Sequence, residues 1–144
     1  MTESIVNVGV RIGVVAVMLA GVLIGRLLLH RWQAARRRRV LRSEALPEMR
    51  NGQASVLLFT GRLCSDCMVQ KNILKELELS AGPFHLREVM AAKDVALAGQ
   101  FGVKSVPATV VLNREGKPVG VNYGLVAGDI IASQLQGAKE NGHG

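Results

Sequence analysis

The sequence predicts an α/β fold, a mixed sheet flanked by helices, preceded by a single apolar N-terminal helix. Three observations lead there. From Ala54 onward, short apolar runs alternate with segments of helical period, the pattern of a layered sheet-and-helix domain. The last two runs are joined by Asn113-Arg114-Glu115-Gly116, a hairpin turn that makes part of the sheet antiparallel. Finally, Ile5 to Leu29 is almost entirely aliphatic or glycine, as a helix crossing a bilayer requires.

The N-terminal stretch is interrupted by Asn7, Arg11 and Arg26, and its strictly uncharged run, Ile12 to Gly25, is short for a span. Arg11 and Arg26 lie toward opposite ends, where long side chains reach the interface. Leu27, Leu28 and Leu29 extend the run to His30, Arg31 and Trp32, an interfacial cluster. A cleaved secretory signal is disfavoured: Met1 to Val10 carries only Glu3, and no small-x-small cleavage site follows. Residues 1–31 are therefore read as an uncleaved membrane anchor. Gly9, Gly13, Gly21 and Gly25 fall on one four-residue repeat, a face that permits helix–helix approach and a homodimer.

The net charge of +7 is local. The first 43 residues hold eight arginines against one glutamate, and the remainder balances ten basic against ten acidic residues. An excess beside an apolar helix reads as a topology signal rather than a nucleic-acid surface. Arg31, Arg36 to Arg39 and Arg42 are expected to keep everything after Arg31 in the cytoplasm, with the N-terminus outside. Residues 32–53 are read as a basic juxtamembrane segment and linker, punctuated by Pro47 and Asn51-Gly52.

The globular part is expected over 54–138. A strand at 54–60 is followed by a helix at about 65–81, with Val69, Ile73 and Leu77 on its buried face and Gly82-Pro83 as its stop. A strand at 84–89 and a short helix near 93–101 come next, the helix turning Val95, Ala98 and Phe101 to the core. Ala108 to Leu112 and about 118–122 form the hairpin strands. Ala127 to Gly137 closes the domain as an amphipathic helix carrying Ile130, Ile131 and Leu135. Residues 139–144 are read as a disordered tail.

Cys64 and Cys67 are the chain's two cysteines, and they sit where the first strand gives way to the first helix of the domain. A Cys-x-x-Cys at a helix start is redox chemistry with a mechanism. Backbone N–H groups and the helix dipole favour negative charge on the first sulfur, and thiolate is the nucleophile of disulfide exchange. Structural zinc wants four ligands. His30, His85 and His143 lack ligand spacing to the cysteines, so a metal or iron–sulfur centre would need a dimer to complete it.

In two separated motifs the sequence resembles the thioredoxin superfamily, over about residues 48–138. One motif is strand-Cys64-Ser65-Asp66-Cys67-helix. The other is Phe101-Gly102-Val103-Lys104-Ser105-Val106-Pro107-Ala108-Thr109, similar to the family's Tyr-Gly-Ile-x-x-Ile-Pro-Thr segment, with its following strand and turn. Gly124 is placed like the family's glycine after the last strand. The resemblance implies that Cys64 is the exposed nucleophile and Cys67 the buried resolving thiol. It also implies that Pro107 is a cis-proline facing them, and that Val106, Pro107, Leu63 and Gly124 contact substrate.

The departures are specific. Leu63 replaces the family's tryptophan, Ser65-Asp66 its Gly-Pro, Met68 its lysine, and Leu58 its buried acid. Ser65 and Asp66 are the positions that would tune the couple. Negative charge at Asp66 makes thiolate at Cys64 less favourable, which pushes the couple toward a reductant. Two other readings of Asp66 stay open: a proton acceptor for Cys67, or a solvated aspartate stabilised by the dipole at a helix N-terminus.

The expected function is that of a membrane-tethered thiol–disulfide oxidoreductase. It acts as a reductase on disulfide-containing protein, is re-reduced by an electron donor, and needs no metal, nucleotide or flavin. A non-catalytic or redox-sensing module on the same fold, and a dimeric metal or iron–sulfur binder, stay open as alternatives.

Overall fold

The computed structural model describes residues 2–140; the tail from Asn141 to Gly144, with His143, lies outside them. The chain divides into two compact units, the first ending at Arg36 and the second starting at Arg37.

The first unit belongs to helix α1, Thr2–Leu41. Within it, Gly13–Trp32 is long and apolar enough to cross a membrane, a property that a signal sequence shares. The helix continues past the anchor boundary expected at residue 31. Ala34, Ala35 and the arginines after them are good helix formers, no proline interrupts before Pro47, and Arg38 and Arg39 in the last turn complement the helix dipole.

The second unit is built on a four-stranded sheet of order β2-β1-β3-β4. The strands are β1 (Ser55–Thr60), β2 (His85–Met90), β3 (Ala108–Leu112) and β4 (Pro118–Tyr123). Helices α2 (Ser65–Ala81), α3 (Val95–Gln100) and α4 (Gly128–Glu140) complete the unit. Strand β1 pairs parallel with β2 and antiparallel with β3, and β3 pairs antiparallel with β4. A parallel neighbour requires a crossover, and α2 is that crossover. Strands β1 and β3 are buried along their whole length, which explains why they read as unbroken apolar runs rather than alternating ones.

Alternation along β1 nevertheless sorts the core into two layers. Leu57 and Phe59 face a cluster with Ala98, Phe101 and Val110. Val56 and Leu58 face Leu74, Leu77, Ile131 and Leu135, from α2 and α4. Leu58, at the position of the family's buried acid, is thus an ordinary core residue.

The expected linker is part of the domain. Val40 and Met49 are buried in the Phe59–Phe101 layer. The Leu46 N–H donates to the Gly116 carbonyl at 2.9 Å. A Cβ at Gly116 would lie 2.4 Å from the Leu46 carbonyl oxygen, and its φ is +76°, so glycine is required there twice over. Sequence reading missed this docking because Val40, Leu46 and Met49 are scattered among arginines, glutamates and turn formers, without a period to mark them.

Three helix faces also differ from expectation. The buried stripe of α2 is Cys67, Gln70, Leu74 and Leu77; Val69 is exposed and Ile73 half-buried. The stripe turns to include a buried glutamine whose amide oxygen and nitrogen each have a hydrogen-bond partner. On α3, Val95 is 70% exposed, because it is the first residue after the cap, where Asp94 accepts from the Leu97 N–H. On α4 the face is Ile131, Leu135 and Ala138, leaving Ile130 outside. That helix runs to Glu140, so Lys139 and Glu140 are helical rather than tail; the Lys139 ammonium bonds the Ala81 carbonyl at 3.0 Å.

Candidate active site

Strand register brings the two sequence motifs together. Phe59 on β1 lies opposite Ala108 on β3, and the strands are antiparallel. The residues after Phe59 and those before Ala108 therefore emerge at the same end of the sheet. Gly61 shows how close they come: a Cβ there would sit 2.8 Å from Val106 Cγ2. A methyl at Gly61 must displace Val106. Gly61→Ala is expected to cost about 1–3 kcal/mol, and much less when Val106→Ala is present. Denaturation midpoints of the two single variants and the double variant check this, and strict additivity would contradict it.

From Gly61 the chain turns through Leu63 into α2. Leu63 has φ +52°, a left-handed conformation costly for a branched residue, and its side chain stands fully in solvent. Cys64 is the N-cap residue of α2. The Cys67 N–H donates to Cys64 Sγ at 3.2 Å, so the sulfur occupies the place a serine or aspartate oxygen takes at other helix starts. Cys64 is half-buried and Cys67 is 5% exposed. The two are disulfide-bonded, with Cα atoms 5.3 Å apart. Ser65 and Asp66 are exposed, and Asp66 sits in the first turn of α2, where a carboxylate suits the dipole.

The opposing loop is equally defined. The Val106–Pro107 peptide bond is cis; Val106 is half-buried and Pro107 buried. The Gly124 N–H donates to the Pro107 carbonyl at 2.8 Å, so Gly124, with φ +83°, adjoins the proline loop. Of the residues expected at the site, Cys64, Cys67, Val106, Pro107 and Gly124 thus belong to one end of the sheet. Leu63 projects from that end, and Ser65 and Asp66 flank the disulfide on its solvent side.

Sequence reasoning missed Gln70. It is fully buried, accepts from the Val126 N–H at 2.8 Å and donates to the Val126 carbonyl at 3.2 Å. One side-chain amide thus completes the backbone of the loop after Gly124 and ties it to the cysteine helix. A polar residue inside the stripe Cys67, Leu74, Leu77 was the available signal. Among the described residues, no group of three or more His, Cys, Asp or Glu side chains is placed to hold a metal ion.

No protein-family model and no curated protein matches the sequence. Solved structures do match. A point-mutant thioredoxin from Halobacterium salinarum has 18% identity over 64% of this chain and 80% of its own, with a TM-score of 0.57. Mitochondrial thioredoxin 3 from Saccharomyces cerevisiae, in its oxidised form, has 14% identity over 62% of this chain and 83% of its own, with a TM-score of 0.54. Thioredoxin-2 of the malaria parasite has 22% identity over 59% and 82%, with a TM-score of 0.52. The chain has a thioredoxin-like fold: a mixed sheet flanked by helices, with a close cysteine pair at the start of α2.

Proposed function

We propose that this thioredoxin-fold chain is a membrane-tethered thiol–disulfide oxidoreductase acting as a reductase. One observation carries the reading: a half-buried Cys64 at a helix N-terminus, linked to a buried Cys67, at the sheet end that also holds Pro107. An accessible first sulfur and a shielded second sulfur suit two successive exchanges.

In the reduced protein, Cys64 thiolate attacks one sulfur of a substrate disulfide. A mixed disulfide forms and the other substrate sulfur leaves as thiolate, taking a proton from solvent. Cys67, deprotonated, then attacks Cys64 Sγ. The second substrate thiol leaves, and the Cys64–Cys67 disulfide remains. Two electrons pass to substrate, and a dithiol donor returns them. The backbone of Val106 and the surface of Leu63 suit contact with a substrate strand, with Gly124 bordering it.

The tether is the Gly13–Trp32 segment, and the arginine excess supports a cytoplasmic domain, where the poise favours reduction. The expected partners are disulfide-bearing protein, an electron donor and the membrane, with a second copy along the glycine face. Two assays test this. The full chain should accelerate reduction of insulin disulfides by dithiothreitol; no acceleration on any disulfide would favour a non-catalytic role. A compartment-sensitive reporter fused after Gly144 should report the cytoplasm; the opposite signal would reverse the orientation.

A further inference from the structure

A groove of about 740 Å³ opens beside the cysteines, between α2 and β2. Cys64 and Met68 line its head, Met90 and Glu88 its β2 wall, and Lys71 and Lys75 its far end. Two of the three charges in it are matched, because the Lys71 ammonium pairs with the Glu88 carboxylate. Lys75 is exposed and has no ion-pair partner among the described residues. The head is different in kind. Met68 is 71% exposed, and its flexible thioether, with that of Met90 on the adjoining wall, adapts to many apolar side chains.

We infer that this groove selects the protein substrate: it takes a disulfide-bearing segment with an apolar residue next to the attacked cysteine and an acidic residue further along, against Lys75. The inference rests on the oxidoreductase reading and adds a substrate class to it. Spacing fixes the register. Met68, Lys71 and Lys75 follow Cys64 by four, seven and eleven residues along α2. Eleven residues of helix span about 16 Å. An extended segment rises about 3.3 Å per residue, so the carboxylate falls roughly five residues from the cysteine. The contribution is that of an exposed ion pair, modest in size and sensitive to salt.

The test uses the full chain in detergent, reduced and freed of reductant. Its substrates are peptides whose single cysteine is in mixed disulfide with thionitrobenzoate. Cys64 attacks the peptide sulfur and thionitrobenzoate leaves, giving a colour change; Cys67 then frees the peptide thiol. A series moves one aspartate, or asparagine as control, through each position on either side of the cysteine. The rate constant should peak with aspartate four to six residues away on one side, about two- to fivefold above asparagine there. That advantage should vanish at high salt. Lys75→Glu should invert it, so that lysine at the same position becomes the better substrate. Equal rates for aspartate and asparagine at every position, or a preference that Lys75→Glu leaves intact, would overturn the inference while the oxidoreductase reading stood. No thionitrobenzoate release from any peptide would instead sink both.

Discussion

Replacing Cys64 with serine is expected to abolish disulfide reduction, a loss on the order of a thousandfold or more, as removal of an attacking nucleophile produces elsewhere. A hydroxyl is not ionised at neutral pH and cannot form the mixed disulfide. Serine is the informative replacement because it separates chemistry from folding. Cys64 Sγ accepts the Cys67 N–H as an N-cap, and a serine oxygen fills that role well. The Cys64–Cys67 bridge closes a short loop, so its removal relaxes the unfolded chain less than a long-range bridge would. Cys64→Ser should therefore keep its circular dichroism and lose its activity. Retained activity would mean that another group attacks. Cys67→Ser should behave differently: the first exchange proceeds and the protein accumulates as a mixed disulfide with substrate.

Phe101→Ala is expected to have the largest effect on stability, about 3–5 kcal/mol, a large share of what a domain of this size possesses. Phe101 is fully buried. Its ring meets Phe59 at a centroid distance of 6.1 Å and a tilt of 58°. Its carbonyl accepts the Tyr123 hydroxyl at 2.8 Å, so the residue joins α3, β1 and β4. Phe59 leads directly through Thr60 and Gly61 to the cysteines, and loosening this pair loosens the base of the site. Guanidinium denaturation of the full chain in mild detergent checks the figure. A loss under about 1 kcal/mol, well below the usual cost of such a truncation, would show that the ring does not hold these elements together.

The strands and helices were legible wherever one physical signal dominated. Strand β1 is an apolar run ended by glycine, α2 is stopped by Gly82-Pro83, and the hairpin is built by Asn113, whose side-chain oxygen accepts from the Glu115 and Lys117 N–H groups. The cysteine pair and the proline segment were legible as motifs. Their meeting at one sheet end was legible only as what the resemblance implied; its physical basis is the Phe59–Ala108 register. Two further things escaped for a common reason. Gln70 is buried against its residue type, and Val40 and Met49 are buried without periodicity. Each is settled by a partner distant in sequence, Val126 in one case and the Phe59–Phe101 layer in the other. The groove at Lys75 was likewise invisible, since β2 supplies one wall and α2 the other.

Differential alkylation tests the central claim most directly. The fully reduced protein is exposed to a limiting amount of iodoacetamide, and the modified cysteine is identified by mass spectrometry. Half-buried Cys64 should carry nearly all the label while buried Cys67 stays free. Label on Cys67 first, or on both at equal rates, would contradict the assignment of Cys64 as the attacking sulfur.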